Sequence, residues 1–236
     1  MIIGVIPARG GSKGLPGKNM IDLGGRPLIE HTFATAQECG RLDRIFLSTD
    51  LAAAIALARA KYPRVEVPYV RPQELCSDQA SLVDVVVHLL EHLKRTEGKT
   101  PQAIMLLQPT SPFRHVAEID EAIRVFRSDR CESMLGVTRT MHHPADYVYR
   151  SAPDDPRFHW VMRAPEWQRR QDFPDVYFNS GALYLCTVKY LQVNRRFYDE
   201  SSRLFLMSEE SALDIDTPFD LALARGWLCD QAGQSR

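Results

Sequence analysis

The sequence predicts an α/β protein with a mostly parallel sheet flanked by helices. Three observations predict it. Short β-branched apolar runs alternate with helix-length amphipathic stretches over the first 138 residues, a glycine-rich loop follows the first run, and polar motifs stand just beyond several others. With 236 residues, 44% hydrophobic and 25% charged, the chain is long enough to bury one full core.

The elements follow in order. Ile2 to Ile6 is a buried first strand. Leu28, Ile29, Phe33 and Ala36 share one face of a helix from Pro27 to Glu38, with Gly40 as its stop. Arg44 to Ser48 is a second strand and Leu51 to Ala60 an alanine-rich helix. Ser77 and Asp78 are expected to cap a helix from about Ser81 to Lys94; its Val85-Val86-Val87 run suggests a strand, but the length decides for helix. Ala103 to Leu107 is a strand, Ala117 to Phe126 a helix and Ser133 to Val137 a strand. Gly181 to Leu185 is another strand and Thr217 to Trp227 the last long helix, with fraying from about Gln231.

One segment breaks the alternation. From Thr138 to Phe178 the chain is rich in Pro, Arg and aromatic residues, and a structureless loop of that length is improbable inside one domain. The expected organisation is a core of residues 1–137 and 181–230 with an inserted arm, 138–180, packed against a second subunit. His142-His143 lack a third ligand at a suitable spacing and read as arm surface, while Trp160 and Trp167 read as arm packing. Asn194 to Tyr198 reads first as a solvated loop, with contact to a ligand site as the alternative.

Composition excludes several classes. Lys plus Arg is 29 and Asp plus Glu 30, a net charge of -1, so neither nucleic acid nor an anionic membrane is expected as partner. No apolar run approaches a membrane span, and Met1 to Pro7 is too short for a signal peptide, with its first charge after the apolar stretch. Five widely spaced cysteines suit reduced thiols in the cytoplasm better than disulfides or zinc, and Cys76 and Cys186 read as small buried hydrophobes.

The loop Pro7 to Asn19 carries the chemistry. Its glycines let backbone N–H groups approach an anion, and Pro16-Gly17 suits the centre of a type II turn that presents Lys18. Residues 1–26 hold four cations (Arg9, Lys13, Lys18, Arg26) against one acid, Asp22, which suits a polyanion. A Walker A loop is excluded, because Ser12 stands where its first glycine belongs and Asn19 follows Lys18. A dinucleotide loop is excluded by the Gly10-Gly11-Gly14 spacing and by Pro16. Asp214-Ile215-Asp216 is the second feature. In extended backbone its two carboxylates share a side, which suits magnesium; equally, Asp216 suits the cap of a helix opening at Pro218. Gln108-Pro109-Thr110-Ser111, Asp50 and Arg71 also stand at strand ends, where such sheets bind ligands.

Together these residues resemble the acylneuraminate cytidylyltransferases, the CMP-sialic acid synthetases and their relatives for other nonulosonic acids. The matching motifs run in family order: Ala8-Arg9-Gly10-Gly11-Ser12-Lys13-Gly14 with Gly17-Lys18-Asn19, Ser48-Thr49-Asp50, Arg71-Pro72, Ser77-Asp78, Leu107 to Pro112, Arg169-Arg170-Gln171-Asp172, Gly181-Ala182 and Asp214 to Thr217. The resemblance implies a Rossmann-like nucleotide-diphospho-sugar transferase fold with a protruding dimerisation arm. It implies CMP transfer from CTP to a nonulosonic acid in a cytoplasmic homodimer that serves cell-surface polysaccharide synthesis.

By the same resemblance, Lys18, Arg9, Asp214 and Asp216 are catalytic, and the two aspartates hold Mg2+, with Mn2+ as a substitute. Ala8, Arg9, Gly10, Gly11, Ser12, Lys18, Asn19, Arg71, Asp78 and Ser81 surround the nucleotide. Gln108, Thr110, Ser111, Arg170, Asn179 and Tyr184 surround the sugar acid. One departure stands out: the family commonly has Asn directly before Gly-Ala, and here Ser180 holds that place with Asn179 before it. The rival readings are a CMP-Kdo synthetase or similar nucleotidyltransferase, against which Gly10 to Gly14 counts, and a nucleotide-binding module without turnover, against which intact Arg9, Lys18, Asp214 and Asp216 count.

Overall fold

In the computed structural model, residues 1–11, 14–77, 79–140, 147–149, 152, 159–162 and 175–234 are described. The elements run β1 (Ile2–Ala8), β2 (Asp22–Leu23), β3 (Arg26–Pro27), α1 (Leu28–Glu38), β4 (Arg44–Thr49), α2 (Ala52–Lys61), β5 (Val65–Glu66), α3 (Leu82–Glu97) and β6 (Ala103–Leu106). They continue with α4 (Val116–Ser128), β7 (Ser133–Arg139), β8 (Val148–Tyr149), β9 (His159–Trp160), β10 (Tyr177–Thr187), α5 (Val188–Asn194), β11 (Arg203–Leu206) and α6 (Pro218–Gln234).

Seven strands form one sheet in the order β11-β7-β10-β6-β1-β4-β5. Every pairing is parallel except those of β10, which runs antiparallel to both β6 and β7. All seven residues of β1 are buried, as a strand covered on both faces requires. Its side chains alternate between two cores. Ile2 and Ile6 pack with Phe33 of α1 and Ile119 and Ile123 of α4. Ile3 and Val5 pack with Val86, Leu89 and Leu93 of α3 and Leu191 of α5. The buried set Val85, Val86, Leu89, Leu90 and Leu93 in α3 shows the helical period that outweighs the strand preference of its valines. A third, smaller core joins Leu15, Leu23, Leu28, Ile215, Leu221 and Ala224.

Two features position the site. β1 pairs with β4 on one side and β6 on the other, so the chain turns opposite ways from the sheet's centre and opens a crevice beyond the carboxyl ends of these strands. The third core pins the loop after β1 to the chain entering α6.

Some expectations are corrected. The cap of α3 is Ser81, whose hydroxyl accepts from Asp84 N, and not Ser77 or Asp78; Asp78 lies outside the described residues. Helix α6 runs on to Gln234, past the expected fraying point. Strands β7 and β10 extend to Arg139 and back to Tyr177, beyond the limits drawn for the arm, and within the arm β8 and β9 pair antiparallel. Among the described residues no helix is long and apolar enough to cross a membrane.

Candidate active site

The loop leaving β1 is held from both flanks. Gly10 N donates to Asp50 Oδ1 at 2.8 Å, and Asn19 Nδ2 donates to the Arg9 carbonyl at 3.0 Å. Between them, Lys18 N donates to the Leu15 carbonyl at 3.1 Å and Gly17 lies at φ 66°, ψ 18°. This is the expected Pro16-Gly17 turn, whose third residue needs a positive φ. Leu15 anchors the turn in the third core. Lys18 then reaches across the crevice, its Nζ 2.6 Å from Asp216 Oδ1, with its side chain only 15% exposed. Gly14 makes the approach possible: a Cβ there would stand 2.7 Å from the Asp216 carbonyl oxygen. Ser12 lies outside the described residues, and a Cβ on Gly11 would meet only open space.

The acid pair flanks a buried residue. Ile215 is fully buried and its N–H donates to the Thr110 carbonyl at 2.8 Å, so the flanking residues turn the other way. Asp216 is not the cap of α6. That role falls to Thr217 and Asp220: Asp220 Oδ2 accepts from Thr217 N at 2.8 Å and Thr217 Oγ1 at 2.9 Å, and Thr217 Oγ1 accepts from Asp220 N at 3.3 Å. Asp216 is thereby left to Lys18. Asp214 Oδ1 is buried with no hydrogen-bond partner. Burial pushes the Asp214 carboxyl above the usual range, the nearby Thr110 side chain and Lys18 oppose this, and Asp216 adds to it.

These aspartates fit a hard divalent cation. They offer two carboxylates on one side of the chain, one with an oxygen that lacks a partner. Among the described residues no third His, Cys, Asp or Glu completes a cluster, so further positions would fall to water and phosphate oxygens, as magnesium accepts.

A cavity of about 540 Å³ joins the two halves, its walls including Arg9, Lys18, Arg71, Gln108, Thr110 and Asp216. That volume suits a nucleotide-sized ligand. Arg71 is 4% exposed, donating from Nε to Ser48 Oγ at 3.2 Å and from Nη2 to the Ser48 carbonyl, and burial lowers its pKa. Asn19 lines the cavity, as do Ala80 and Leu82 on either side of Ser81, whose own hydroxyl is engaged in its cap. Ala8 is buried at the end of β1, below the loop. Ser111 is fully buried and stands beneath the cavity wall, so of the Thr110-Ser111 pair only Thr110 reaches the space.

The far side is built on an irregular strand. β10 shifts register against β7 between Asn179 and Tyr184. Asn179 Oδ1 accepts from Gly181 N at 3.0 Å and Tyr184 Oη at 3.2 Å, while its Nδ2 donates to Tyr198 Oη at 2.9 Å. Gln108 Nε2 donates to the Gly181 carbonyl at 3.0 Å. Ser180 is buried and its hydroxyl accepts from Ala182 N, whereas Asn179 joins Tyr184 and Tyr198. Tyr184 stacks on Tyr198 at 5.3 Å and on Phe197 at 5.8 Å between ring centroids. Tyr198, read first as solvated loop, thus belongs to this cluster, and no local signal marks it because its partners are strand residues. Arg170 lies outside the described residues. Cys186 is buried, its thiol pushed up to about 12 by burial, which fits an inert core residue.

A mostly parallel sheet whose first strand enters a basic loop, facing Asp216 across one cavity, defines a nucleotide-binding α/β protein of the nucleotidyltransferase type. The sequence profile of the cytidylyltransferase family matches residues 3–152, and the chain belongs to that family. Over 228 residues, 95% of this chain, it is 33% identical to N-acylneuraminate cytidylyltransferase of Streptococcus agalactiae, but it spans about half that relative's length, 52%. It is 33% identical to CMP-N,N'-diacetyllegionaminic acid synthase of Legionella pneumophila, with 94% of each chain covered. Pseudaminic acid cytidylyltransferase of Campylobacter jejuni is 28% identical over 94% of this chain and 93% of its own. The fold matches a solved CMP:2-keto-3-deoxy-manno-octonic acid synthetase complexed with CTP, with a TM-score of 0.70 over 98% of this chain and 99% of that one at 18% identity.

Proposed function

We propose that this protein transfers CMP from CTP to the anomeric hydroxyl of a nonulosonic acid, releasing pyrophosphate. The observation that carries the reading is the meeting of Lys18 with Asp216 at 2.6 Å, beside Asp214, at the mouth of a cavity that runs from Arg71 to Gln108. The hydroxyl oxygen bonds to the α-phosphorus and gives up its proton to solvent, the bond from that phosphorus to the bridging oxygen breaks, and pyrophosphate leaves with the bonding electron pair. Such a transfer depends on positioning and on neutralising phosphoryl charge.

Lys18 and Arg9 supply fixed positive charge to the triphosphate, and Asn19 and Gly10 hold their loop in shape. Arg71 and the start of α3 take the nucleoside end. Gln108, Asn179 and Tyr184 bind the acceptor, with Tyr198 extending that surface. Arg170 from the arm is assigned to the acid's carboxylate, which a guanidinium can grip with two bonds. Asp214 and Asp216 would hold Mg2+, which when bound neutralises phosphate charge and makes a hydroxyl more acidic. The arm exposes Tyr147, Trp160, Val161 and Met162, apolar surface that a second copy would cover, so the active species is a homodimer. Five free cysteines and a CTP substrate suit the cytoplasm.

The test is pyrophosphate release from CTP with N-acetylneuraminate, Kdn, legionaminate, pseudaminate and Kdo, each repeated with ATP, GTP and UTP. Turnover with CTP and one of the first four acids is the expected result. Preference for Kdo would select the rival acceptor, and CTP binding without turnover on any acid would reduce the protein to a binding module.

A further inference from the structure

Arg114 is 4% exposed, yet it donates only to neutral oxygens among the described residues. Its Nη1 reaches the Ala182 carbonyl at 3.1 Å, and its Nη2 reaches Thr32 Oγ1 at 2.9 Å and the Gln108 carbonyl at 2.7 Å. A buried cation is costly unless opposite charge and hydrogen bonds compensate it. Here the opposing charge is that of Asp214, acting through space.

The bonds answer a need of the irregular strand. From Asn179 to Tyr184 β10 advances five residues while β7 advances two, from Val137 to Leu135. Pairing with β6 begins only at Tyr184. The carbonyls of Gly181 and Ala182 fall in that gap, outside both ladders, and buried carbonyls require partners. The Gln108 amide takes the first and Arg114 takes the second. Gln108 is therefore held at both ends, by its side chain on Gly181 and by its own carbonyl on Arg114. Thr32 ties the whole to α1.

We propose that Arg114 is the positioning residue of the acceptor half of the site, locking the Gln108 loop to the Asn179–Tyr184 bulge so that both present their amides to the sugar acid. This rests on the acceptor role given to Gln108 and Asn179 above. Arg114 itself is beneath the surface and touches no substrate. Its loss loosens the acceptor contacts, while the loop at Lys18 and the wall at Arg71, which it does not contact, keep their grip on CTP.

Arg114→Lys and Arg114→Met are compared with wild type by thermal midpoint and by KM for each substrate. Lysine keeps the charge opposite Asp214 but cannot span the Ala182 and Gln108 carbonyls as a planar fork does. The expected result for Arg114→Lys is an acceptor KM raised about tenfold by loss of a charge-assisted bond, with the CTP KM within about twofold, as for an independent site. Adding Gln108→Ala to Arg114→Lys should then cost less than Gln108→Ala costs alone, because the two act as one unit. If Arg114→Met does not fold, Arg114→Lys and the milder Thr32→Val carry the same comparison. Both KM values rising alike, or a lower thermal midpoint with neither KM changed, would overturn the inference and leave a purely structural arginine. A wild-type chain that turns over no acid overturns the proposed function and this inference together.

Discussion

At the residue scale the site turns on Lys18. Its side chain is mostly withdrawn from water and its ammonium meets Asp216, so it is a charge set in place before any ligand arrives. Loss of one preorganised donor costs about 10²–10³ in turnover in comparable electrostatic sites. Lys18→Ala is expected to fall by that order in kcat, measured by pyrophosphate release, while its circular dichroism stays native. A variant that turns over near the wild-type rate would remove Lys18 from the chemistry. Asp216→Asn should shift the magnesium titration of activity to higher concentration, because the Thr217–Asp220 cap keeps α6 formed without the Asp216 carboxylate. An unchanged titration would mean that Asp216 serves only as the partner of Lys18. These residues are legible in the sequence because their geometry is local: Pro16-Gly17 dictates its own turn, and alternation dictates that Asp214 and Asp216 share a side. Arg114 was not legible. Its role depends on the Ala182 carbonyl about 70 residues away in an irregular strand, and no spacing rule places the two together.

At the element scale, loop and helix termini set the precision of the cavity. Gly14→Ala would place a methyl group 2.7 Å from the Asp216 carbonyl oxygen, which forces the loop away from the acid pair. Displacement by about 1 Å can cost 10²-fold in rate, so this variant is expected to lose kcat with little loss of stability. Wild-type kcat in Gly14→Ala would show that the loop can yield at no cost. Ser81→Ala separates two roles of one residue. The Ser81 hydroxyl caps α3 by accepting from Asp84 N at 3.1 Å, and it also donates to Asp84 Oδ2 at 2.7 Å. Removing such a cap costs ~1 kcal/mol, a thermal midpoint lower by about 2–4 °C at this chain length. Ser81 and Arg195 hold the Asp84 carboxyl below the usual range. The stabilisation from that lowered pKa is present above the unfolded-state value and is lost as pH falls through the folded one. The gap between wild type and Ser81→Ala should therefore narrow in acid, and a gap independent of pH would remove Asp84 from the cap. A CTP KM that rises along with the stability loss would assign Ser81 to the nucleotide as well. The long periodic helices α1, α3 and α4 were readable from their apolar spacing. The short α5 and β11 were not, because Val188–Asn194 begins directly on the end of a strand and Arg203–Leu206 is an edge strand with Leu204 and Leu206 exposed.

At the scale of the whole molecule, the insertion between β7 and β10 carries the proposed assembly contact. The ends of the insertion already meet. Arg139 pairs with Tyr177 across β7 and β10, Thr140 N donates to the Val176 carbonyl at 3.0 Å, and Arg139 Nη2 lies 2.6 Å from Asp175 Oδ1. Residues 141–174 can therefore be replaced by Asn-Gly, a two-residue hairpin link that suits the twist of antiparallel strands. A shorter connection also lowers the entropy cost of closing the loop, though only slowly with length. The excised chain is expected to keep its thermal midpoint to within a few degrees, because the two main cores lie on the sheet faces and, among the described residues, none between 141 and 174 belongs to either. It should still bind CTP, measured by calorimetry, since Arg9, Lys18, Arg71 and the acid pair all belong to the retained core. It should sediment as a monomer and lose turnover with every acid, because the proposed dimer contact and the proposed carboxylate ligand Arg170 leave together. Arg170→Ala in the full chain then separates these effects, with dimerisation kept and the acceptor KM raised. An excised chain that remains dimeric would move the interface to another face of the protein, and one that still turns over would release the arm from the chemistry.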